Sequence, residues 1–239
     1  MPDLLPLFLT VSERRVALVG GGRVAAGKLQ QLVAAGAHVA VVAPAIAGEI
    51  RALAASLDPD RPERESTAVV RLFERPFAPS DLDGVWLVVA AATPEVNREV
   101  AAAAEERRLF VNAVDDPANA TAYLSGVVRR DGVTVAISTS GDAPALTSLL
   151  REAIDALLPR DLAAWVWQAR AERVAWRREG VPMEQRKPRL LRALNALYPA
   201  PPGEADRADG PLPPAIATIP SPDRGPDIPW LHAPEDSWL

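Results

Sequence analysis

The sequence predicts an α/β protein: a parallel sheet flanked by helices, then a β-hairpin segment, then a small helical C-terminal domain. Three observations carry this prediction. Short apolar runs alternate with helical patterns through residues 16–114, three glycines stand where the first run meets the first helix, and after residue 120 the pattern changes to two β-rich runs and then to helices. The expected boundaries are residues 1–116 for the sheet domain, 117–145 for the hairpin segment, 146–198 for the helical domain and 199–239 for a proline-rich, disordered tail.

The first unit is the most informative. A β-branched run over residues 16–19 ends in Gly20, Gly21 and Gly22 and passes directly into a helix expected to carry Val24, Leu29, Leu32 and Val33 on one face. Gly20, Gly22 and Ala25 fall at the G-x-G-x-x-G/A spacing of a Rossmann-type dinucleotide site. The first glycine serves a tight turn, the second lets a pyrophosphate approach the backbone, and the third position packs helix on strand. The helix N-terminus adds free N–H groups and a partial positive charge. An overlapping G-x-x-x-x-G-K match, Gly22 to Lys28, is followed by Leu29 where a P-loop needs a magnesium-binding hydroxyl. A triphosphatase is therefore disfavoured.

The remaining elements follow in order. Residues 4–9 form an apolar lead-in, expected as a short strand or a cover over the sheet edge. A second strand over 37–42 runs into Ala43-Pro44-Ala45 and a helix over 45–55. A dinucleotide fold usually offers a carboxylate here for the adenosine ribose. This chain offers none, so backbone groups must hold the ribose, and the sequence does not separate NAD from NADP. A polar loop over 56–66 precedes strands over 68–73 and 85–90. Thr93-Pro94-Glu95 then supplies a cap, a proline at the first helical position and an early acid for a helix reaching Arg107. A fifth strand over 109–114 carries Asn112 and leads to Asp115 and Asp116. Strands alternating with helices at this spacing imply a parallel sheet with right-handed crossovers.

Beyond it, runs over 121–129 and 133–138 flank Arg130-Asp131-Gly132, a hairpin signal. A lone hairpin is marginal in water, so it is expected to lean on this chain's sheet or on a partner subunit. The polar loop 138–144 opens a helix over 145–157. A second helix covers 161–178, Gly180 and Pro182 break it, and a last helical piece reaches Leu197. The tail holds 11 of the chain's 24 prolines, and its Trp230 and Trp238 are weighed as a docking element against an unstructured end.

Composition narrows the classes. The absence of cysteine excludes a disulfide framework, a thiolate metal site and a thiol nucleophile, and fits a reducing cytosol. No basic leader and no membrane-length apolar run are evident, so the chain is expected to be soluble, cytoplasmic and unexported. A net charge of −5 argues against general nucleic-acid binding. Its distribution is uneven: residues 151–192 carry ten Arg or Lys against six Asp or Glu, which makes a polyanionic small molecule a plausible client. His38 and His232 are the only histidines, one at a strand start and one in the tail, so no permanent metal site is expected.

Taken together, Leu5-Pro6-Leu7-Phe8, Gly20 to Ala25 with Lys28, Val42-Ala43-Pro44, Ala91-Ala92-Thr93, Phe110 to Asp115, and Ser138 to Leu146 resemble the precorrin-2 dehydrogenase / sirohydrochlorin ferrochelatase family, the N-terminal module of siroheme synthases. The resemblance covers roughly residues 4–195. It implies NAD-dependent oxidation of precorrin-2 to sirohydrochlorin, and a homodimer interlocked through the hairpin and helical segments. It implies a catalytic role for Asp115 and cofactor contacts at Arg23, Val24, Pro44 and Ala45, with Gly20, Gly22, Ala43, Ala92 and Thr93 in the same cofactor set. Some members insert ferrous iron and others do not, so chelation stays open. No methyltransferase portion is expected.

The chemistry is compatible with these residues. Oxidising a reduced tetrapyrrole removes a hydride and a proton, so a nicotinamide and a nearby base are both needed. Asp115 stands at the carboxyl end of a strand, where ligands of such sheets bind. Asp115 or Asp116 could instead cap the turn before Pro117. Asn112, Ser138, Thr139 and Ser140 are candidate substrate contacts, the last three through N–H groups preceding a helix, although Asp142 opposes an anion there. Arg151, Arg170, Arg173, Arg177, Arg178, Arg186 and Lys187 are candidates for the substrate's carboxylates, with a solvated helix face as the alternative. The rival readings are a non-catalytic NAD-sensing module and a Rossmann oxidoreductase for another anionic substrate.

Overall fold

The computed structural model describes residues 4–57, 68–124 and 126–198. Of the loop expected over 56–66, residues 58–66 lie outside the described residues, as does the proline-rich tail with its two tryptophans and His232. Strands β1 (Arg15–Val19), β2 (His38–Ala43), β3 (Val69–Glu74), β4 (Leu87–Ala90) and β5 (Phe110–Ala113) form one sheet in the order β3-β2-β1-β4-β5. Every pairing is parallel, with Val16 beside Val39 and Leu87, and Val88 beside Val111. Helices α1 (Arg23–Ala34), α2 (Gly48–Ser56) and α3 (Pro94–Glu106) provide the crossovers.

Continuous apolar strands reflect burial on both faces. Val16 and Leu18 join Ala25, Leu29, Leu32 and Ile50 of α1 and α2 in one core. Ala17 and Val19 join Val100, Ala103 and Ala104 of α3 in the other. The expected face of α1 is corrected at one position: Val24 is 51 % exposed, and Ala25 and Ala26 take the inward places beside Leu29 and Leu32. The N-terminal lead-in is corrected too. Residues 4–9 form no strand and are exposed, Leu5 and Phe8 largely so, and the backbone of residues 121–122, not this segment, bonds along the free edge of β5.

The hairpin is shorter than expected: β6 (Gly126–Arg130) pairs antiparallel with β7 (Val133–Ile137). Asp131 and Gly132 both take positive φ, 50° and 83°, the geometry of a two-residue hairpin turn matched to strand twist. Residues 121–124 do not extend β6. The backbone N–H groups of Thr121 and Ala122 donate to the Val111 carbonyl at 2.9 and 2.8 Å, and the Thr121 hydroxyl accepts from the Val111 N–H at 2.8 Å. This segment thereby closes the free edge of β5. The hairpin leans on α4 (Pro144–Leu157) rather than on the main sheet: Arg130 donates to the Asp155 carboxylate at 2.6 Å and to the Leu158 carbonyl at 3.1 Å. A Cβ at Gly126 would stand 2.8 Å from the Thr147 methyl.

The chain divides into two compact units, residues 1–166 and 167–239. The second holds most of α5 (Leu162–Glu179) and all of α6 (Met183–Asn195). Gly180, at φ 66°, ends α5 as expected, and the Val181 N–H returns to the Trp176 carbonyl. No helix among the described residues is long and apolar enough to cross a membrane.

One ion pair braces the loop before β4. The Asp81 carboxylate, 9 % exposed, accepts from both Arg75 terminal nitrogens at 2.8 and 2.5 Å and from the Ala78 N–H at 2.9 Å. These bonds, led by Arg75, hold its carboxyl below the usual range although burial pushes it up. Its stabilisation is therefore complete above the ordinary carboxylate pKa of about 4 and is lost as pH falls through the lower folded value. Asp81→Asn should cost about 1–2 kcal/mol at pH 7 and lose less further stability than the parent on acidification, as read by urea denaturation at pH 7 and pH 3.

Candidate functional site

The glycine corner sits between β1 and β4, the point at which the strand order reverses, at the carboxyl end of the sheet. Gly20, at φ 131°, lies so close to the next loop that a Cβ would meet the Ala91 carbonyl oxygen at 2.2 Å. A Cβ on Gly21 would meet the Ala45 carbonyl oxygen at 2.0 Å, and the Gly21 carbonyl accepts from the Ala47 N–H at 2.8 Å. Around Gly22, by contrast, a Cβ would meet nothing within 4 Å. The first main-chain bond of α1 runs from the Ala26 N–H to the Gly22 carbonyl, so the N–H groups of Arg23, Val24 and Ala25 precede the intrahelical ladder. Open space before a helix N-terminus with no acidic residue in its first turn suits a dinucleotide pyrophosphate.

The flanking loops are held from behind. Thr93 caps α3, its hydroxyl accepting from the Val96 N–H at 3.5 Å. Asn97, buried on α3, accepts from the Ala92 N–H at 3.1 Å. Asn97 escaped the sequence reading because its spacing to Ala92 looks like any polar residue in a first helical turn. Ala43 is buried under Gly21 and offers only packing there, whereas Pro44, Ala45, Ala92, Thr93, Arg23 and Val24 are exposed. The candidate cofactor residues therefore converge on one edge.

Past β5 the chain turns through Asp115, at φ 55°, a left-handed conformation that aspartate tolerates better than most residues. Asp116 stands at the N-cap of the turn 117–119 without a side-chain cap bond, and its carboxylate accepts instead from the Asn119 side-chain amide at 2.8 Å. The Asp115 carboxylate makes no hydrogen bond to any described residue, and it lines an open cavity of about 500 Å³ together with Asn112, Lys28, Tyr123, Thr139 and Arg151. Asn112 is 5 % exposed; its amide donates to the Ala122 carbonyl at 3.0 Å and its side-chain oxygen has no partner. The Lys28 ammonium donates to the Leu124 carbonyl at 3.1 Å. Burial pushes its pKa below the usual lysine range, and the nearby Asp115 charge opposes that shift.

Thr139 lines the cavity but its hydroxyl is committed, lying 2.9 Å from the Thr147 hydroxyl and accepting from the Ala143 N–H at 3.2 Å. Ser138 and Ser140 do not line it; the Ser138 hydroxyl accepts from the Ser140 N–H at 3.1 Å instead. Of the candidate basic residues, Arg151 reaches this cavity, while Arg170, Arg173, Arg177, Arg178, Arg186 and Lys187 belong to the second unit. Lys28, Tyr123 and Arg129 were not singled out as site residues from the sequence. The one available signal was a lysine at position 28 beside the inward-facing Leu29. Among the described residues no group of three or more His, Asp or Glu side chains could hold a metal.

Comparison with known proteins agrees with the fold. Residues 7–126 match the family model described as "Putative NAD(P)-binding", and residues 130–157 match the model "Sirohaem biosynthesis protein central". Siroheme synthase 3 of Aeromonas hydrophila is 41 % identical over 163 residues, 68 % of this chain and 32 % of that protein. Siroheme synthase of Photorhabdus laumondii is 34 % identical over 197 residues, 82 % of this chain and 40 % of that protein. The chain thus spans about a third to two fifths of the length of these curated relatives. The solved structure of SirC, precorrin-2 dehydrogenase, shares the fold with a TM-score of 0.60 at 22 % identity, covering 82 % of this chain and 92 % of that one.

The two glycines should respond differently to a methyl group. Gly22→Ala should fold with less than about 1 kcal/mol lost, since only an N-cap glycine changes, yet bind NADH at least tenfold more weakly by fluorescence titration. Gly20→Ala should lower the melting temperature markedly, because a left-handed backbone and a carbonyl clash coincide there.

Proposed function

The chain belongs to the NAD(P)-binding family whose model covers residues 7–126, and from that premise we propose that it oxidises precorrin-2 to sirohydrochlorin with NAD as the hydride acceptor. The observation that carries this reading is the placement of an unbonded carboxylate, Asp115, in a cavity that opens past β5 of the sheet whose carboxyl edge bears the glycine corner. The siroheme synthase names of the relatives and the sirohaem-biosynthesis segment over residues 130–157 support the substrate.

Bound NAD supplies the hydride acceptor. With NAD bound, Arg23, Val24 and Ala25 would hold its pyrophosphate through backbone N–H groups at the α1 N-terminus, and Pro44 and Ala45 would receive the adenosine ribose. Gly20 and Gly21 fix those loops against each other, and Ala92 and Thr93 complete the edge. Asp115 accepts the proton that leaves the macrocycle as the hydride departs, so the pair removed is balanced between cofactor and carboxylate. Asn112, with its unpartnered side-chain oxygen, and Thr139 meet the substrate along the cavity lining, and Ser138 and Ser140 stand next to Thr139 in the same loop.

The finer points of this reading concern partners. We assign residues 1–116 to the cofactor, and 117–145 with 146–198 to a homodimer. Exposed Leu146 and Leu157 on α4 support that contact, which sedimentation velocity would register as a doubled mass. Ferrous iron enters as a second substrate, with Asp115 taking the two displaced pyrrole protons one at a time and passing each to solvent, and the ring nitrogens binding the metal. Addition of ferrous or cobaltous ion to sirohydrochlorin, followed by absorbance, tests it. The compartment is the cytoplasm.

Purified protein given precorrin-2 and NAD should produce sirohydrochlorin and NADH in equal amounts by absorbance. Asp115→Asn should slow that turnover by on the order of 10²-fold to 10⁴-fold while binding NADH normally. Normal turnover in Asp115→Asn, or no turnover in the parent, would overturn the assignment.

A further inference from the structure

Lys28 is an unexpected charge at its position. Its helical neighbours Ala25, Leu29 and Leu32 are all buried against the sheet, and its own side chain is half-buried. Removing an ammonium from water is costly unless its donors are matched. Among the described residues, one of its three N–H donors is used, by the Leu124 carbonyl at 3.1 Å. Asp115 is near enough for its charge to act on Lys28, yet no hydrogen bond joins them.

The charged and titratable groups on the cavity wall are Lys28, Arg129 and Arg151 against Asp115 and Asp116, with Tyr123 between. Asp116 is committed to Asn119, and Arg151 shares its charge with Glu152 at 3.2 Å. Arg129 has no hydrogen-bond or ion-pair partner among the described residues. The wall thus carries three cations against two carboxylates, since the bond from the neutral Asn119 amide leaves the Asp116 charge in place. None of the glycine-corner residues lines it, so a nucleotide seated there leaves these cations unmatched.

We propose that Lys28 is a specificity-determining residue that pairs with a carboxylate of the tetrapyrrole and so sets the register of the ring over Asp115, with Arg129 and Arg151 receiving further carboxylates across the cavity. This rests on the substrate reading given above. The ligand class follows from the wall: a flat polycarboxylate satisfies three separated cations at once, whereas a monoanion satisfies one.

The test is fluorescence titration of the full chain with two stable porphyrins, uroporphyrin and coproporphyrin, the latter carrying half the carboxylates. Lys28→Met should weaken uroporphyrin about tenfold, coproporphyrin clearly less, and NADH not at all. Lys28→Arg should restore most of the loss. With precorrin-2 the same substitution should raise KM with kcat changed less than about threefold. Equal weakening of both porphyrins, or no rescue by Lys28→Arg, would show that Lys28 only ties α1 to Leu124. A fall in kcat alone would make it part of the proton path and also overturn the proposal. If Lys28→Met does not fold, Lys28→Gln keeps a donor toward Leu124 without the charge and carries the same comparison. Parent protein that binds neither porphyrin would sink the substrate reading and this inference together, whereas parent binding with an unchanged porphyrin preference in the variant overturns Lys28 alone.

Discussion

The fold depends on how closely three loops approach one another at the carboxyl edge of the sheet. Gly20 lies against the Ala91 carbonyl and Gly21 against the Ala45 carbonyl, at separations no Cβ could share. Hydrogen bonds lock the contact: the Gly20 N–H donates to the Val42 carbonyl, the Ala91 N–H to the Val19 carbonyl, and the Ala47 N–H to the Gly21 carbonyl. The loops after β1, β2 and β4 therefore behave as one block whose geometry is inherited from the buried strands beneath. An anion arriving at α1 meets N–H groups already oriented, so little ordering is left for binding to supply.

A second block is built on the opposite principle. The turn after β5 places Asp115 in a left-handed conformation costing about 1–2 kcal/mol for an L-residue. Neighbouring contacts offset that cost: Asn119 holds Asp116, the Thr121 and Ala122 backbone closes on Val111, and the Asn112 amide grips the Ala122 carbonyl. Asp116 and Asn112 do the holding, and among the described residues Asp115 has no hydrogen-bond partner. That division separates a structural carboxylate from an available one in adjacent positions, a distinction that residue type alone does not make.

The legible parts of the molecule were those governed by local rules. Strands buried on both faces read as unbroken apolar runs, Thr93-Pro94-Glu95 read as a helix start, and Arg130-Asp131-Gly132 read as a hairpin turn. The illegible parts depend on contacts distant in sequence. Lys28 meets the Leu124 carbonyl 96 positions away, and nothing near Lys28 encodes that meeting. Residues 121–124 have a strand-like composition, but Thr121 finds Val111 before it can extend β6. Val24 is apolar and correctly spaced for the core, yet Ala25 and Ala26 fit the close helix-to-strand approach better and turn it outward. Ser138 and Ser140 look like anion donors in sequence, but the loop spends the Ser138 hydroxyl on itself.

A base placed beside a polyanionic substrate faces an electrostatic conflict. Two like charges about 4 Å apart repel by roughly 4 kcal/mol at an effective dielectric of 20, so a lone carboxylate in the cavity would drive the substrate's own carboxylates away from the atoms it must reach. Removing the carboxylate's charge would remove its ability to take a proton. For the proposed reaction the arrangement offers a third route: the Asp115 carboxylate has no hydrogen bond to any described residue, while a half-buried Lys28 close by on α1 supplies an opposing charge. Under the proposed function, Lys28, anchored on a backbone carbonyl rather than on Asp115, would offset the repulsion without quenching the base. The anchoring carbonyl belongs to the segment that closes the β5 edge, so the integrity of that edge and the charge balance of the cavity are set by the same few residues.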